Sequence, residues 1–244
     1  STNAKEDLAA GLEKTEKATN YSEKVSVDFS MEESGQKIAA NATIDGKVYT
    51  EGDKTLLAAD VKAGVSGMSI EGKLYADIDK TAAKLYINYM GQWIKLDTAS
   101  LGVDFKDVMS QTNDTQVSAK EVLEYAKEIK EEKSDKKGEK KYTVVLDVEK
   151  LNKKVAESYD KAMEEAKKSA NASEIADAEE ELKSIKDGVL ASDLSIVLYT
   201  KDGYVSGFEF DIASLLNSVT SKLNGSSMAD EIKKMNITGK IKVE

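Results

Sequence analysis

The chain contains no cysteine, no histidine and no proline among its 244 residues. Without cysteine there is no disulfide, no thiolate nucleophile and no thiolate-bound metal. Without histidine the chain lacks both the side chain that most often transfers protons near neutral pH and the commonest metal ligand. A Ser-His-Asp triad is therefore excluded, whereas catalysis by carboxylate, lysine or tyrosine groups is not.

Positive charge is scarce relative to negative charge, and long apolar runs are missing. The 35 basic and 45 acidic residues give a formal net charge of −10. Phosphates and anionic lipid headgroups bind basic surfaces, so we expect no nucleic-acid partner and no electrostatic attachment to a membrane. No stretch approaches the roughly 20 apolar residues of a membrane-spanning helix. The polar start of the chain, without a signal peptide, is compatible with a processed secretory protein.

Apolar and polar residues alternate through several segments, a pattern typical of strands with one buried face. The longest such segment is 68–97, and it contains the single tryptophan of the chain, Trp93. The other alternating segments are 25–31, 38–44, 56–61, 142–148, 194–198, 204–210 and 235–243. Asp202 and Gly203 separate two of these segments and predict a tight hairpin.

Apolar residues three and four positions apart predict helices at 5–18, 149–168 and 212–223. Asn171 with Glu174 fits a capping box for a further helix, ended by Gly188.

A second capping box, Ser118 with Glu121, predicts a helix that continues to Ile129. The charged run 130–141 that follows is interpreted as a solvated, mobile connection, and the short apolar stretch 101–109 as helical.

This order of elements predicts an α+β protein with one domain, residues 1–244. A sheet of roughly nine or ten antiparallel strands coils strongly, so we expect a curved, open half-barrel with helices from the middle of the chain across its concave face. No Gly- or Ser-rich linker divides the chain.

Two ten-residue segments resemble each other at an offset of 26 residues. GKVYTEGDKT occupies 46–55, and GKLYADIDKT occupies 72–81. We interpret them as two copies of one hairpin unit; the alternative is chance agreement between similar strand–turn segments.

Candidate catalytic and metal-binding patterns are weak. Ser158 and Lys161 satisfy the S-x-x-K pattern of penicillin-recognising enzymes, but its companion motifs are missing. Asp77 and Asp79 would suit a carboxylate pair or a metal site, although acidic residues commonly solvate such a turn. Phosphate-loop, dinucleotide and calcium-loop motifs are also missing, so we predict no cofactor, no metal and no enzymatic activity.

A curved sheet that its helices do not fill would leave an apolar pocket. The side chains that we expect to line it are Val27, Phe29, Ile70, Leu74, Ile87, Trp93, Leu101, Phe105 and Leu123. The alternative is that these residues pack a filled core with no ligand.

Residues 5–130 resemble a known group of lipoproteins. The segment LAAGLEKTEKATNYSEKVSVDFSM, the hairpin KLYADIDKTAAKLYINYMGQWIKLD and its Gly91-x-Trp93-x-Lys95 motif are similar to LolA-like and LppX/LprG-like lipoproteins of the Gram-positive bacterial envelope. The resemblance implies an open half-barrel, with Trp93 under the helices and Lys95 facing water. Residues 130–188 exceed the family pattern and are interpreted as a charged, helical insertion.

The family resemblance also implies a function. It predicts a non-enzymatic, extracytoplasmic lipoprotein that binds or carries a lipid or another hydrophobic molecule. The protein would be held at the outer face of the cell membrane by a lipidated cysteine lost from the N-terminus with the signal peptide. The alternative is a structural or sensory module with a filled core, whose partner is another envelope protein.

Overall fold

Eleven antiparallel strands form one open sheet in the computed structural model, which describes residues 2–102 and 119–244. The strands are β1 (Asn20–Glu33), β2 (Gln36–Glu51), β3 (Lys54–Val65), β4 (Met68–Ile78), β5 (Ala83–Tyr89), β6 (Gln92–Asp97), β7 (Ala126–Lys133), β8 (Glu139–Leu146), β9 (Leu194–Lys201), β10 (Tyr204–Asp211) and β11 (Thr238–Val243). The helices are α1 (Thr2–Glu16), α2 (Ala119–Glu124), α3 (Val148–Ser169), α4 (Ala172–Leu182), α5 (Ile212–Lys222) and α6 (Ser227–Met235), with a short 3-10 turn at Lys183–Ile185. The expected α+β half-barrel is therefore confirmed.

The strand order divides the sheet into two meanders. Strands β1 to β6 are neighbours in chain order and form the N-terminal meander, while β7 to β10 form the C-terminal meander. The late strand β11 lies between β1 and β10 and pairs antiparallel with both. The two meanders, each built from hairpins between neighbouring strands, are joined into one continuous sheet by β11.

Strand register places the apolar residues of both meanders on one face of the sheet. Val27 faces Ala42 on β2 and Ile241 on β11, and Ile241 faces Phe210 on β10. Because side chains alternate along each strand, every second residue belongs to this side. We call it the helix face, since Ile212 of α5 packs over Gly239 on this side.

The densest core lies over the C-terminal meander. Its fully or nearly fully buried members are Ala4, Leu8, Leu123, Tyr142, Val144, Leu146, Leu190, Leu194, Ile196 and Leu198. Helices α1 and α2 supply the first three, and β8 and β9 supply most of the others. The amphipathic opening helix is thus held by apolar burial against strands of the C-terminal meander, far from it in sequence.

The α3–α4 helical hairpin leaves the sheet between β8 and β9 and packs chiefly on itself. The predicted capping box of α4 is present, with Glu174 N–H donating to Asn171 Oδ1 at 2.9 Å. Hydrogen bonds from Asn152 hold α3 against the segment that precedes β9. Asn152 Nδ2 donates to Leu190 O, and its Oδ1 accepts from the N–H groups of Val189 and Leu190.

Two expectations about the middle of the chain were wrong. The helix expected to reach Ile129 ends at Glu124 in α2, and Ile129 belongs to β7. The charged run 130–141 is the β7–β8 hairpin rather than a mobile connection, because Ile129 pairs with Val144 and the charged residues face water or one another. The predicted insertion 130–188 therefore begins with sheet strands and continues with the helical hairpin.

Other differences are smaller. The sheet has eleven strands where nine or ten were expected, and helix α6 was not predicted. Leu101 and Gly102 lie in a turn, and the rest of the segment 101–109 lies outside the described residues. Helix α2 from the middle of the chain packs on the sheet as expected, and α1, α5 and α6 also pack over it, whereas the α3–α4 hairpin packs chiefly on itself. The single domain and its insertion stay predictions.

Candidate functional site

A single transverse row of apolar residues crosses nine strands on the helix face. In sheet order from β7 to β4, the row consists of Ile129, Val144, Ile196, Phe210, Ile241, Val27, Ala42, Ala63 and Ile70. Each residue lies directly opposite the next on the neighbouring strand. The exposed fraction of each side chain therefore shows how well the helices cover that part of the sheet.

The row is buried at β8 and β9, half-buried from β10 to β3 and exposed at β4. Val144 is completely buried beneath the helices, while Ile70 is 53% exposed. The exposed large apolar residues on this face of β2, β3, β4 and β6 are Ile44, Val65, Met68, Ile70, Ile94 and Leu96. We call the helix-face side of β2–β6 the open apolar face.

The open apolar face carries no charged side chain within β2–β6, all of which the structure describes. Small residues lie at its centre: Ala59 and Ala76 are buried, and Gly46 pairs with Ala59. A Cβ added at Gly46 would lie 3.3 Å from Ala59 Cβ, and one at Gly72 would lie 2.8 Å from Asn88 O. The two sequence copies thus place a glycine where backbone and neighbouring side chains approach closely.

The other side of β2–β6 is polar and charged. Three ion pairs join neighbouring strands: Lys54 with Asp77, Lys62 with Glu71, and Lys73 with Asp60, at 3.6 to 3.8 Å. These exposed pairs contribute little to stability, but their charged groups keep this surface hydrated. The contrast between the two sides shows that the open apolar face is a specific feature and not general surface hydrophobicity.

An aromatic cluster interrupts the polar side near one end. The rings of Tyr75 and Trp93 lie 5.5 Å apart, and Lys95 Nζ lies 5.8 Å from the centre of the Tyr86 ring. A shallow groove of about 530 Å³ lies beside them, with Tyr49 and Leu56 also in its lining. Both repeat copies contribute here, because Tyr49 and Tyr75 are equivalent positions on the same side.

The structure separates the residues that were expected to line a pocket. Val27, Phe29, Ile70, Leu74 and Ile87 all lie on the helix face. Leu123 is buried in the core with Leu8, and Leu101 is exposed in the turn after β6. Phe105 lies outside the described residues. A single lined pocket of these residues stays a prediction.

The expected position of Trp93 under the helices was wrong. Trp93 pairs with Asn88 and shares the polar side with Lys95, while Ile94 between them faces the helix side. Several residues of the open apolar face were missed: Ile44, Val65, Met68, Ile94 and Leu96. Ile44, Met68, Ile94 and Leu96 lie in predicted alternating segments and Val65 lies just beyond one, but the alternation did not show which of its apolar residues would be exposed.

The weak catalytic and metal candidates have structural roles or exposed positions. Asp79 Oδ1 accepts hydrogen bonds from Thr81 Oγ1, Thr81 N–H and Ala82 N–H at 2.7 to 2.9 Å, and these bonds lower the pKa of the carboxyl group. Asp77 pairs with Lys54. Ser158 and Lys161 are exposed on α3. Within residues 2–102 and 119–244, no group of three or more acidic side chains is placed to hold a metal ion.

Comparisons with known proteins show a likeness of fold and no likeness of sequence family. No known protein-family profile matches the chain, and no curated protein matches it. Among solved structures, the crystal structure of LprF from Mycobacterium bovis is similar, at 9% sequence identity and a TM-score of 0.45, over 100% of this chain and 92% of that one. This likeness assigns no family, ligand or activity. In the described part of the chain, every helix is too short or too polar to cross a membrane.

Proposed function

We propose that this protein is a non-enzymatic carrier that binds a lipid or lipid-linked molecule on its open apolar face. One observation supports this proposal most directly: among the described residues, the apolar row that packs the core continues past the helices to Ile70, which is 53% exposed and has no charged neighbour on that face of β2–β6. Exposed apolar patches of this kind mark binding surfaces on soluble proteins.

The binding energy would come from desolvation. Each methylene group of an acyl chain that leaves water contributes about 0.8 kcal/mol, so a chain laid along several strands could bind without polar contacts. The face is uneven in height, because the small residues Ala59 and Gly72 lie beside the larger Leu74, which pairs with Ile87. Such a site would select for acyl length and shape more than for a headgroup.

The setting that we propose is the outer face of a cell membrane. The resemblance of residues 5–130 to envelope lipoproteins supports it, and a lipid anchor ahead of Ser1 would hold the carrier near its cargo. The test is incorporation of labelled palmitate by the full gene product at a cysteine immediately before Ser1. Failure to incorporate the label would contradict the anchor and leave the binding proposal intact.

Native mass spectrometry with lipid extraction tests the binding proposal. The purified protein is expected to carry copurified lipid and, after delipidation, to take up a fluorescent fatty-acid probe with saturation at one or a few sites. Protein that carries no lipid and excludes the probe would contradict the carrier function.

A second function, a protein-interaction module, is favoured by the outer edge of β6. This strand pairs only with β5 among the described strands, and it exposes Trp93 on one side and Ile94 on the other. An extended peptide could add to such an edge through backbone hydrogen bonds, with its side chains on both sides of the strand. Absence of lipid together with saturable binding of an extended envelope peptide would support this function.

A further inference from the structure

Two hairpin turns at one end of the N-terminal meander expose large apolar side chains. Met68 follows the β3–β4 turn and Met90 lies in the β5–β6 turn, and they are 75% and 80% exposed, more than any other large apolar residue described. We call the segments 65–70 and 89–94 the hairpin rim. They include the most exposed members of the open apolar face, so the rim is where that face meets solvent.

The backbone at Met90 is in a conformation that methionine disfavours. Met90 has φ 52° and the following Gly91 has φ 78°, the left-handed pair of a tight two-residue hairpin. The other described tight hairpins of this kind place Ser34, Ser66 and Asp202 at the first position. A non-glycine residue in this region costs on the order of a factor of ten in conformational equilibrium, and Asn or Asp tolerates it best. Stability therefore does not explain a methionine here.

The two turns of the hairpin rim lack charge, whereas the β1–β2 turn at the same end of the meander carries Glu32, Glu33 and Lys37. The segments 63–70 and 85–94 contain no charged residue, although 33% of the chain is charged. The turns at the opposite end carry Asp53, Lys54, Asp79 and Lys80, with Lys80 Nζ 3.2 Å from Asp53. The rim is therefore complementary to a neutral medium of low dielectric constant, and the opposite end is complementary to water.

Aromatic side chains flank the methionine tip. Tyr89 and Trp93 lie on either side of Met90-Gly91-Gln92 and are both exposed. Tyrosine and tryptophan combine an apolar ring with a polar group, and they are enriched where proteins meet the boundary between lipid and water.

The strand register staggers the two tips. Val65 pairs with Met68, whereas Tyr89 pairs with Gly72, so β4 extends four residues beyond β5. The two apolar tips are therefore separate steps of one edge, on which the β1–β2 turn projects farthest, because Val65 pairs with Ala40 while β2 begins at Gln36. Separate, stepped tips fit a soft medium that closes around them better than a rigid protein surface, which needs a continuous complementary shape.

We propose that the hairpin rim docks on the surface of a lipid bilayer, with Met68 and Met90 inserted below the headgroups and Tyr89 and Trp93 at their level. A net charge of −10 makes a zwitterionic surface the favoured partner, since anionic headgroups repel the chain. Docking would bring the exposed end of the open apolar face to the membrane surface. It does not depend on the proposed carrier function, because insertion of the tips needs no bound ligand.

Trp93 is the single tryptophan of the chain, so its fluorescence reports directly on the rim. Addition of phosphatidylcholine vesicles is expected to shift its emission to shorter wavelength, and the protein should co-sediment with the vesicles. Binding to phosphatidylcholine should change little with salt, whereas binding to phosphatidylglycerol vesicles should be weaker at low salt and recover as salt is added. No spectral shift and no co-sedimentation with phosphatidylcholine would overturn the proposal.

The substitutions Met68→Asn and Met90→Asn should each weaken vesicle partition by about tenfold, because each removes one buried apolar side chain. Met90→Asn should at the same time raise the thermal midpoint, since asparagine tolerates the left-handed backbone, so lost docking would not reflect unfolding. Met228→Asn on α6 is the matched control and should dock like the parent. Equal loss in the control would overturn the proposal.

Light scattering without vesicles separates docking from self-association. A monomer that docks supports the proposal, whereas a dimer that Met90→Asn dissociates would assign the rim to a second copy and overturn it. Uptake of the fatty-acid probe in vesicle-free buffer is measured on the same variants. It tests the carrier function alone, so failure of docking and failure of ligand binding are distinguishable.

Discussion

Val144 and Ile70 lie on the same transverse row of the sheet, seven strands apart, and face the same side. At a strand spacing of about 4.8 Å the two are separated by about 34 Å along the sheet. Helices bury the first completely and leave half of the second exposed. One apolar surface therefore serves two purposes, and its coverage decides which residues hold the fold and which are available for binding.

The two ends of this row should respond differently to truncation. Val144→Ala removes two fully buried methyl groups and leaves a cavity, so the free energy of unfolding should fall by about 2 kcal/mol. Ile70→Ala should cost less than about 1 kcal/mol, because the side chain is half exposed in the folded protein. Urea unfolding monitored by circular dichroism measures both; equal losses would contradict the difference in coverage.

Ligand binding should depend on the side of the strand that is changed. Ile70→Asp introduces a charge on the open apolar face and should weaken binding of a fluorescent fatty-acid probe by at least about tenfold, because that charge loses hydration when the probe covers it. Ser69→Asp places the same charge one residue away on the polar side and should leave binding unchanged. Titration of the probe at equal protein stability compares the two, and equal effects would argue against a site on this face.

Gly72 should tolerate a side chain less well than Gly64. A Cβ at Gly72 meets the backbone oxygen of Asn88 at 2.8 Å, so Gly72→Ala forces β4 and β5 apart and should cost about 1 to 3 kcal/mol. A Cβ at Gly64 meets the side-chain oxygen of Asn41 at 2.9 Å, and that flexible group can rotate away. Thermal unfolding of the two alanine variants should show the larger shift for Gly72→Ala; the reverse order would contradict the packing.

Acid should weaken the attachment of α3 through Asp193. Its carboxylate accepts from Val148 N–H at 2.8 Å and pairs with Lys127 at 3.2 Å, and these contacts lower its pKa below the ordinary 3.8. A lowered folded-state pKa contributes stability that is complete above 3.8 and is lost as pH falls through the folded value.

Asp193→Asn should therefore reduce the free energy of unfolding by about 1 kcal/mol at pH 7 and by less at pH 3, which lies below the ordinary pKa of 3.8, so that the carboxyl group of the unfolded parent chain is protonated. Urea midpoints at the two pH values give the comparison. Asp160→Asn, on the exposed surface of α3, is the control and should leave the free energy of unfolding at pH 7 unchanged.

The alternation of side chains was sufficient to predict which residues share a face, but not what covers them. The patterns at Tyr142–Val144–Leu146 and at Met68–Ile70 are the same in sequence, and both form strands. Their burial differs because α1 and α2 pack on the first and leave the second open. That choice is a property of long-range packing and leaves no trace in local periodicity.

Strand β7 shows how pairing overrides a local pattern. Ala126 and Ile129 are three residues apart among Lys and Glu, which is typical of a charged amphipathic helix. The segment is an edge strand instead, because Ile129 gains burial opposite Val144. An edge strand needs only one partner, so its sequence can remain highly charged.

The side of Trp93 was ambiguous for a different reason. Trp93 and Ile94 are consecutive apolar residues, and a shift of one residue in strand register exchanges their faces. The pairing of Asn88 with Trp93 fixes the choice, and it joins the indole to Tyr75 on the polar side. The sequence predicted the strand correctly, but only its neighbour determines which of the two apolar residues points toward the helices.

The insertion of β11 between β1 and β10 has a consequence for the order of folding. Strands β1 to β6 can pair as soon as they are synthesised, yet the edge of β1 stays unsatisfied until residues 238–243 arrive about 200 residues later. During that interval the free edge of β1 is available to other chains, which is a known route to aggregation. Formation of the central seam should therefore be the slow, concentration-sensitive step of folding, and a cellular holding factor that shields β1 would raise the yield of native protein.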